Sequence, residues 1–218
     1  MQIPIEQNIL SANDAIAAMN RARLHDHDIF SINIMSSPGA GKTSLLEALL
    51  PPLASELSIG VIEGDLATDN DAVRLQALGI QTLQMSTKEY KSSCHMNALM
   101  IQNALPHFDL DLLDFLVIEN VGNLVCPAGY DLGEDKRIVL ISTTEGEDKP
   151  LKYPTIFMRA DLVIINKIDL LEALEMDVKV IEDNIRAVNP KAEIMKVSAR
   201  KGDGMEDVKQ WLNGQMAL

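Results

Sequence analysis

The sequence is poor in basic residues and in aromatic residues. Its 218 residues include 19 Lys and Arg against 32 Asp and Glu, which gives a net charge of −13 at pH 7. An acidic surface repels phosphate backbones and anionic lipid headgroups, so we expect neither nucleic acid nor a membrane as a partner. Aromatic residues make up only 4% of the chain, which argues against the stacking platforms that bind single-stranded nucleic acid.

Long apolar runs and a leader pattern are also missing. No apolar run reaches the roughly 18 residues that a membrane-spanning helix needs. The first residues, MQIPIEQN, have neither the basic nor the apolar region of a signal peptide, so we expect a cytoplasmic location. The two cysteines, Cys94 and Cys126, are too few for a disulfide framework and are expected to be thiols.

Short apolar segments that alternate with helical segments predict an α/β fold. An Ala-rich amphipathic helix over 9–24 precedes the first apolar segment, 29–35, and a second helix starts at Lys42 and is expected to end at Pro51 and Pro52. Further apolar segments lie at 58–62, 80–85, 115–118, 138–141, 162–165 and 193–197. Their Val and Ile content is typical of strands buried on both sides. We therefore expect a doubly wound, mostly parallel sheet with helices on both faces.

The most informative segment is SSPGAGKTS, residues 36–44, which has the pattern of a phosphate-binding loop between a strand and a helix. Gly39 and Gly41 allow backbone N–H groups to approach phosphate oxygens. Lys42 neutralises the β and γ phosphates, and Thr43 offers its hydroxyl to Mg²⁺. The nucleotide contacts expected in this loop are Gly39, Ala40, Gly41, Lys42, Thr43 and Ser44.

A second motif, Asn166-Lys167-Ile168-Asp169, directly follows an apolar segment, and open α/β sheets bind ligands at the carboxyl ends of their strands. Asp169 can accept hydrogen bonds from both guanine N1–H and N2–H₂, which adenine does not offer, so the motif predicts GTP. Asn166 and Lys167 are expected to support the loop and to pack on the base. Downstream, Ser198-Ala199-Arg200 resembles a third guanine-contacting loop.

Two carboxylates between these motifs are expected at the carboxyl ends of strands. Asp65 ends the segment EGD and Glu119 begins the segment ENVG. We predict that both join Thr43 around Mg²⁺, and that Lys42, Asp65 and Glu119 form the catalytic set. Asn123 occupies the position at which many GTPases carry a water-orienting Gln, so we expect slow intrinsic hydrolysis.

Cys94-His95 and Cys126-Pro127 form a third candidate constellation. Thiolates and an imidazole suit Ni²⁺ or Zn²⁺, and three protein ligands leave a coordination position open. On the residues alone, separate buried thiols and a surface imidazole remain an equal alternative. Because Cys126 closely follows ENVG, nucleotide state would move this ligand relative to the other two. His25 and His27 are a further candidate pair, for which a solvated loop is the simpler interpretation.

The chain resembles the HypB family, GTPases that assist nickel insertion during maturation of nickel–iron hydrogenases. The resemblance rests on SSPGAGKTSLLEALL, EGDLATDNDAVRL, the Cys94-His95 pair, ENVGNLVCPAGYDLGE, NKIDLL and VSARKGDGMEDVKQWL. It implies a SIMIBI-class P-loop GTPase that forms a homodimer with GTP and binds Ni²⁺ or Zn²⁺ through Cys94, His95 and Cys126. It also implies the nickel chaperone HypA and the hydrogenase large-subunit precursor as partners. We divide the chain into an N-terminal helical extension, residues 1–28, and a GTPase domain, residues 29–218.

Two departures and two alternatives accompany this resemblance. Some members of the family carry an N-terminal CxxCGC nickel motif or a His-rich stretch, and this sequence shows neither, so we expect the GTPase domain to handle the metal. The related urease-maturation GTPase places its ligands in a Cys-Pro-His motif, whereas Ala128 follows Cys126-Pro127 here, which favours the hydrogenase interpretation. The other alternative is a metal-storage module that uses GTP only structurally.

Overall fold

The computed structural model describes residues 5–65, 70–86 and 94–216, with side chains for 10–64, 72–86 and 94–216. The α-helices in these ranges are α1 (Ile5–His25), α2 (Lys42–Leu53), α3 (Asn70–Gln76), α4 (Ala98–Ala104), α5 (Lys149–Lys152), α6 (Pro154–Met158), α7 (Val178–Val188) and α8 (Met205–Met216). The strands are β1 (Phe30–Ser36), β2 (Ile59–Asp65), β3 (Gln81–Ser86), β4 (Phe115–Glu119), β5 (Lys136–Ser142), β6 (Leu162–Asn166) and β7 (Glu193–Lys196). None of the helices in the described ranges combines the length and the hydrophobicity needed to cross a bilayer.

These strands form one seven-stranded sheet in the order β3-β2-β4-β1-β5-β6-β7, and every neighbouring pair is parallel. The predicted doubly wound α/β fold is confirmed. Strand β1 lies at the centre, between β4 and β5. The carboxyl ends of the parallel strands therefore meet at one edge of the sheet, where ligands of such folds bind.

Side chains of successive strand residues alternate between two buried faces of the sheet. On one face, Ile32 and Ile34 pack with apolar residues of α2, α3 and α8. On the other face, one cluster includes residues of α1 and α4, and a second cluster joins Met35 to residues of α6 and α7. Burial on both faces explains why β4, β5 and β6 contain continuous runs of Ile, Leu and Val rather than alternating polar and apolar residues.

Helix α2 does not end at its two prolines, contrary to our expectation. It continues through Pro51 and Pro52 to Leu53. Each proline removes one backbone N–H from the last turn, but the Ala54 N–H still donates to the Leu50 carbonyl at 2.8 Å. Leu53 is 2% exposed in the core, and its burial offsets the loss of these hydrogen bonds.

Helix α1 is fastened to two loops of the protein by two buried asparagines. The Asn13 amide donates to the Asp131 carbonyl at 2.8 Å and accepts from the Ala98 N–H at 2.9 Å. The Asn20 amide donates to the carbonyls of Ala98, at 2.8 Å, and Leu132, at 3.0 Å. Helix α1 thus connects the start of α4 with the loop before β5. The division of the chain after residue 28 stays a prediction.

We expect Asn20→Ala to lower the free energy of unfolding by about 1–3 kcal/mol, because two buried carbonyls lose their donor. Denaturant unfolding measures the change. Met19→Ala on the same helix is the control, since Met19 is 61% exposed and its truncation is expected to have little effect. An equal, small effect of both substitutions would contradict the assigned role of Asn20.

Candidate nucleotide and metal site

The phosphate loop lies between β1 and α2, at the carboxyl edge of the sheet. Gly39 and Gly41 have φ values of 76° and 100°, which lie in the left-handed region that favours glycine. The Lys42 ammonium donates to the Ser36 hydroxyl at 3.0 Å. Residues of this loop and two other cations surround a cavity of about 340 Å³, lined by Gly39, Gly41, Lys42, Thr43, Ser44, Arg74 and Lys167.

The Asn166 amide connects the phosphate loop with two loops further along the chain. Its nitrogen donates to the Ala40 carbonyl at 2.9 Å, and its oxygen accepts from the N–H groups of Lys167 and Ala199 at 2.8 and 3.1 Å. The packing is tight, because a Cβ on Gly41 would lie 2.6 Å from the Asn166 amide nitrogen. The three predicted nucleotide motifs therefore share one buried amide.

Lys167 and Asp169 complete the loop after β6. Lys167 has a left-handed backbone with φ 62°, and its ammonium donates to the Gly39 carbonyl at 2.7 Å. The Ser198 hydroxyl donates to the Asp169 carboxylate at 2.6 Å, and this hydrogen bond lowers the pKa of Asp169 below its ordinary value. Asp169 therefore remains an ionised acceptor at neutral pH. Arg200, the last residue of the third motif, is exposed.

Thr43 and Glu119 are brought together where β1 and β4 end. The Thr43 hydroxyl donates to the Glu119 carboxylate at 3.0 Å, and Glu119 is only 3% exposed. Glu63 of β2 pairs with Glu119 in the sheet register and is equally buried. A hydroxyl and carboxylates are hard oxygen donors of the type that Mg²⁺ prefers, so the residues fit this ion. The Asp65 side chain lies outside the described residues.

Cys94, His95 and Cys126 converge although 31 positions separate Cys94 from Cys126 (126 − 94 − 1 = 31). Their ligand atoms all lie within 4.8 Å of one another, and the Cys94 Sγ is 3.6 Å from the His95 Nδ1. Two sulfur ligands of a tetrahedral ion with bonds of about 2.3 Å lie roughly 3.8 Å apart. The half-buried, free thiols and the imidazole therefore fit a soft or borderline divalent ion.

The protonation of this triad favours metal binding at His95 and proton retention at Cys94. Burial lowers the pKa of His95, which favours the neutral imidazole, the form that ligates metal ions, at neutral pH. The pKa of Cys94 is raised to about 11, first by its hydrogen bond with Cys126 and then by burial. The His95 ring also lies against the Tyr130 ring, with 4.0 Å between centroids.

His25 and His27, the other candidate pair of metal ligands, each form a hydrogen bond with a carboxylate instead. The His25 Nε2 lies 2.6 Å from the Asp135 carboxylate, and the His27 Nδ1 lies 2.9 Å from the Asp111 carboxylate. Neither histidine belongs to the metal-ligating group found among the described side chains. Each imidazole instead stabilises a carboxylate at the protein surface.

Sequence reasoning did not find Arg74 or the role of Asn123. Arg74 lines the phosphate cavity from α3, where its guanidinium donates to the Glu47 carboxylate at 2.8 Å. The Asn123 amide oxygen accepts from the N–H groups of Val125, at 2.8 Å, and Cys126, at 3.3 Å. Arg74 carried no sequence signal, whereas an Asn two and three residues before these N–H groups is a recognisable turn pattern.

Fold and site together define a P-loop nucleotide-binding protein that also brings two thiols and an imidazole together in a group that could hold a metal ion. The family model of the CobW/HypB/UreG nucleotide-binding domain matches residues 30–196. The HypB hydrogenase maturation factor of Azotobacter vinelandii is 48% identical over 211 residues, which cover 97% of this chain and 69% of the relative.

Two further comparisons concern Helicobacter pylori. Its hydrogenase/urease maturation factor HypB is 43% identical over 217 residues, which cover 96% of this chain and 86% of the relative. A crystal structure of HypB from Helicobacter pylori in complex with nickel superposes with a TM-score of 0.88 at 41% identity, covering 94% of this chain and 95% of that chain. The chain belongs to the HypB proteins of the CobW/HypB/UreG family.

We expect metal binding to release protons at neutral pH, because the Cys94 thiol, with a pKa of about 11, keeps its proton until an ion displaces it. Affinity for Zn²⁺ should therefore fall steadily as the pH is lowered from about 11. Calorimetry in two buffers of different ionisation enthalpy counts the protons. His25→Ala, outside the triad, should release the same number. Binding without proton release would contradict the role of Cys94.

Proposed function

We propose that the protein is a GTP-hydrolysing metallochaperone that assists nickel insertion into a nickel–iron hydrogenase. GTP state controls its dimerisation and its transfer of metal. The observation that carries this proposal is the presence, in one domain, of a cavity lined by the phosphate loop and of three side chains, Cys94, His95 and Cys126, that are close enough together to hold a metal ion. The hydrogenase maturation factors and the nickel complex among its relatives support the same function.

Guanine specificity rests on Asp169. Its ionised carboxylate accepts from the N1–H and N2–H₂ groups of guanine, and each charge-assisted hydrogen bond contributes about 1.5–3 kcal/mol. Asn166 and Lys167 hold this loop against the phosphate loop through Ala40 and Gly39. Ser198, Ala199 and Arg200 complete the base-binding surface.

Hydrolysis is the work of Lys42, Thr43, Asp65 and Glu119. Lys42 neutralises the charge that develops on the transferred phosphoryl group. Thr43, Asp65 and Glu119 would hold Mg²⁺, which would supply charge neutralisation to the phosphates. With the Asn123 amide oxygen engaged by Val125 and Cys126, intrinsic turnover is slow and acts as a timer.

The metal is cargo rather than a resident cofactor. Cys94, His95 and Cys126 bind Ni²⁺ or Zn²⁺ and leave a position open, through which a second protein can take the ion. That second protein is the other copy of a GTP-dependent homodimer, the chaperone HypA or the hydrogenase large-subunit precursor. The free thiols of the triad are consistent with a reducing, cytoplasmic setting.

Two alternatives make different predictions. A urease-maturation protein would deliver nickel to urease, and the Helicobacter pylori relative is a hydrogenase/urease maturation factor. Ala128 in place of the His of a Cys-Pro-His motif favours the hydrogenase. A metal-storage module would bind GTP without releasing phosphate, so a phosphate-release assay on the purified protein separates storage from the proposed function.

We expect Asp169→Asn to exchange guanine for xanthine specificity. The Asn amide can donate to the C2 carbonyl that xanthine has in place of the guanine amino group, whereas it cannot accept both guanine donors. GTP affinity should fall by at least tens of fold, roughly the loss of one charge-assisted hydrogen bond, and XTP affinity should rise. Fluorescent-nucleotide titration measures both, with the exposed Glu172→Ala as control. Competition by ATP as effective as by GTP would refute guanine specificity.

The function as a whole is tested by titrating Ni²⁺ and Zn²⁺ into the GDP form and into a GTP-analogue form. We expect the two affinities to differ, by about 5–150-fold for a typical coupling of 1–3 kcal/mol, because Cys126 closely follows the segment 119–122, which we expect to respond to the γ-phosphate. Cys126→Ala should abolish the difference and weaken binding. Val125→Ala, at a neighbouring side chain that is 64% exposed, should preserve both. Equal affinities in the two nucleotide forms would refute nucleotide-controlled transfer.

A further inference from the structure

One half of the metal site is held on the sheet by Asn120. This side chain is 1% exposed, and its oxygen accepts from the Met96 N–H at 3.2 Å, next to Cys94 and His95. Its own backbone N–H donates to the Ile34 carbonyl of β1 at 3.0 Å. The Cys94-His95 pair is therefore connected, through Met96 and Asn120, to the end of β4 and to the central strand β1.

The other half of the site follows a loop that touches the phosphate loop. The backbone of Gly122 approaches Pro38 so closely that a Cβ on Gly122 would lie 3.0 Å from the Pro38 Cα. Cys126 lies four residues further along, at the start of a 3-10 turn that runs to Gly129. The segment before Cys126 is therefore packed tightly against the phosphate loop at Gly122.

Asn123 connects the contact between Gly122 and Pro38 with the candidate metal ligand Cys126. Its amide oxygen binds the N–H groups of Val125 and Cys126, at 2.8 and 3.3 Å, and closes the chain between Gly122 and Cys126 into a compact turn. Without these two hydrogen bonds, the intervening backbone can absorb a movement at Gly122 by local rotation. With them, Cys126 moves together with Gly122.

We propose that Asn123 is the positioning residue through which nucleotide state reaches Cys126. Asn123 occupies the place of the water-orienting Gln of many GTPases, and here its amide serves the metal ligand instead. The inference rests on the proposed function, since it requires that nucleotide state alters metal affinity. A phosphate-loop movement then shifts Cys126 relative to Cys94 and His95, which Asn120 holds on the sheet.

The test is the ratio of Ni²⁺ affinities between the GTP-analogue and GDP forms of the full chain. Asn123→Ala should bring this ratio close to one. Asn123→Asp should preserve it, because a carboxylate oxygen accepts from the same two N–H groups and the position is half-buried. Asp177→Ala is the matched control, since it removes a comparable turn acceptor for the Lys179 N–H at the start of α7, and it should leave the ratio unchanged.

The outcomes separate this inference from the proposed function. A ratio of one in the unaltered protein would refute nucleotide-controlled transfer and the inference with it. If the ratio differs from one in the unaltered protein and keeps the same value in Asn123→Ala, only the role of Asn123 is overturned. Slower phosphate release by Asn123→Ala with an unchanged ratio would likewise assign Asn123 to catalysis. A ratio close to one in both Asn123→Ala and Asn123→Asp would exclude the oxygen acceptor as the cause and overturn the proposed role of Asn123.

Discussion

Burial of both faces of a parallel sheet is the constraint on which the rest of the structure depends. Helices cover the sheet on either side, and the strand side chains form the core almost entirely from Ile, Leu and Val. The polar side chains of the candidate nucleotide site lie at the edge where the strands end. Thr43, Glu119, Asn166 and Asp169 all lie at this edge, and Asn166 spans its phosphate and base loops with one buried amide.

The segment from Glu119 to Cys126 contacts both the phosphate-loop region and the Cys126 end of the candidate metal site. Glu119 accepts from Thr43, Gly122 packs against Pro38, and the amide oxygen of Asn123 binds the Cys126 N–H. Only a few residues separate these contacts. A structural change at the phosphate loop would therefore have to pass through only a short stretch of chain to reach the Cys126 sulfur. Coupling of two sites through one short segment requires no large movement of domains.

Much of the fold and of the nucleotide site could be predicted from the sequence. Seven apolar segments marked the seven strands, because period and composition of a buried strand depend on its own residues. The phosphate loop was recognisable because its glycines and Lys42 act through local backbone geometry. The end of α2 was predicted wrongly, since the burial of Leu53 in the core outweighs the local effect of Pro51 and Pro52.

The sequence by itself determined the strands, the position of the phosphate loop and the types of side chain available as metal ligands. Only the tertiary structure decided that Cys94 and His95 meet Cys126, that Arg74 lines the phosphate cavity, and that the Asn123 oxygen binds the Cys126 N–H. From the residues alone, a metal site and a set of separate thiols and an unrelated imidazole were equally good interpretations. The physical reason is that such contacts depend on how helices and loops pack on the sheet, and packing between distant segments leaves no periodic trace in either segment.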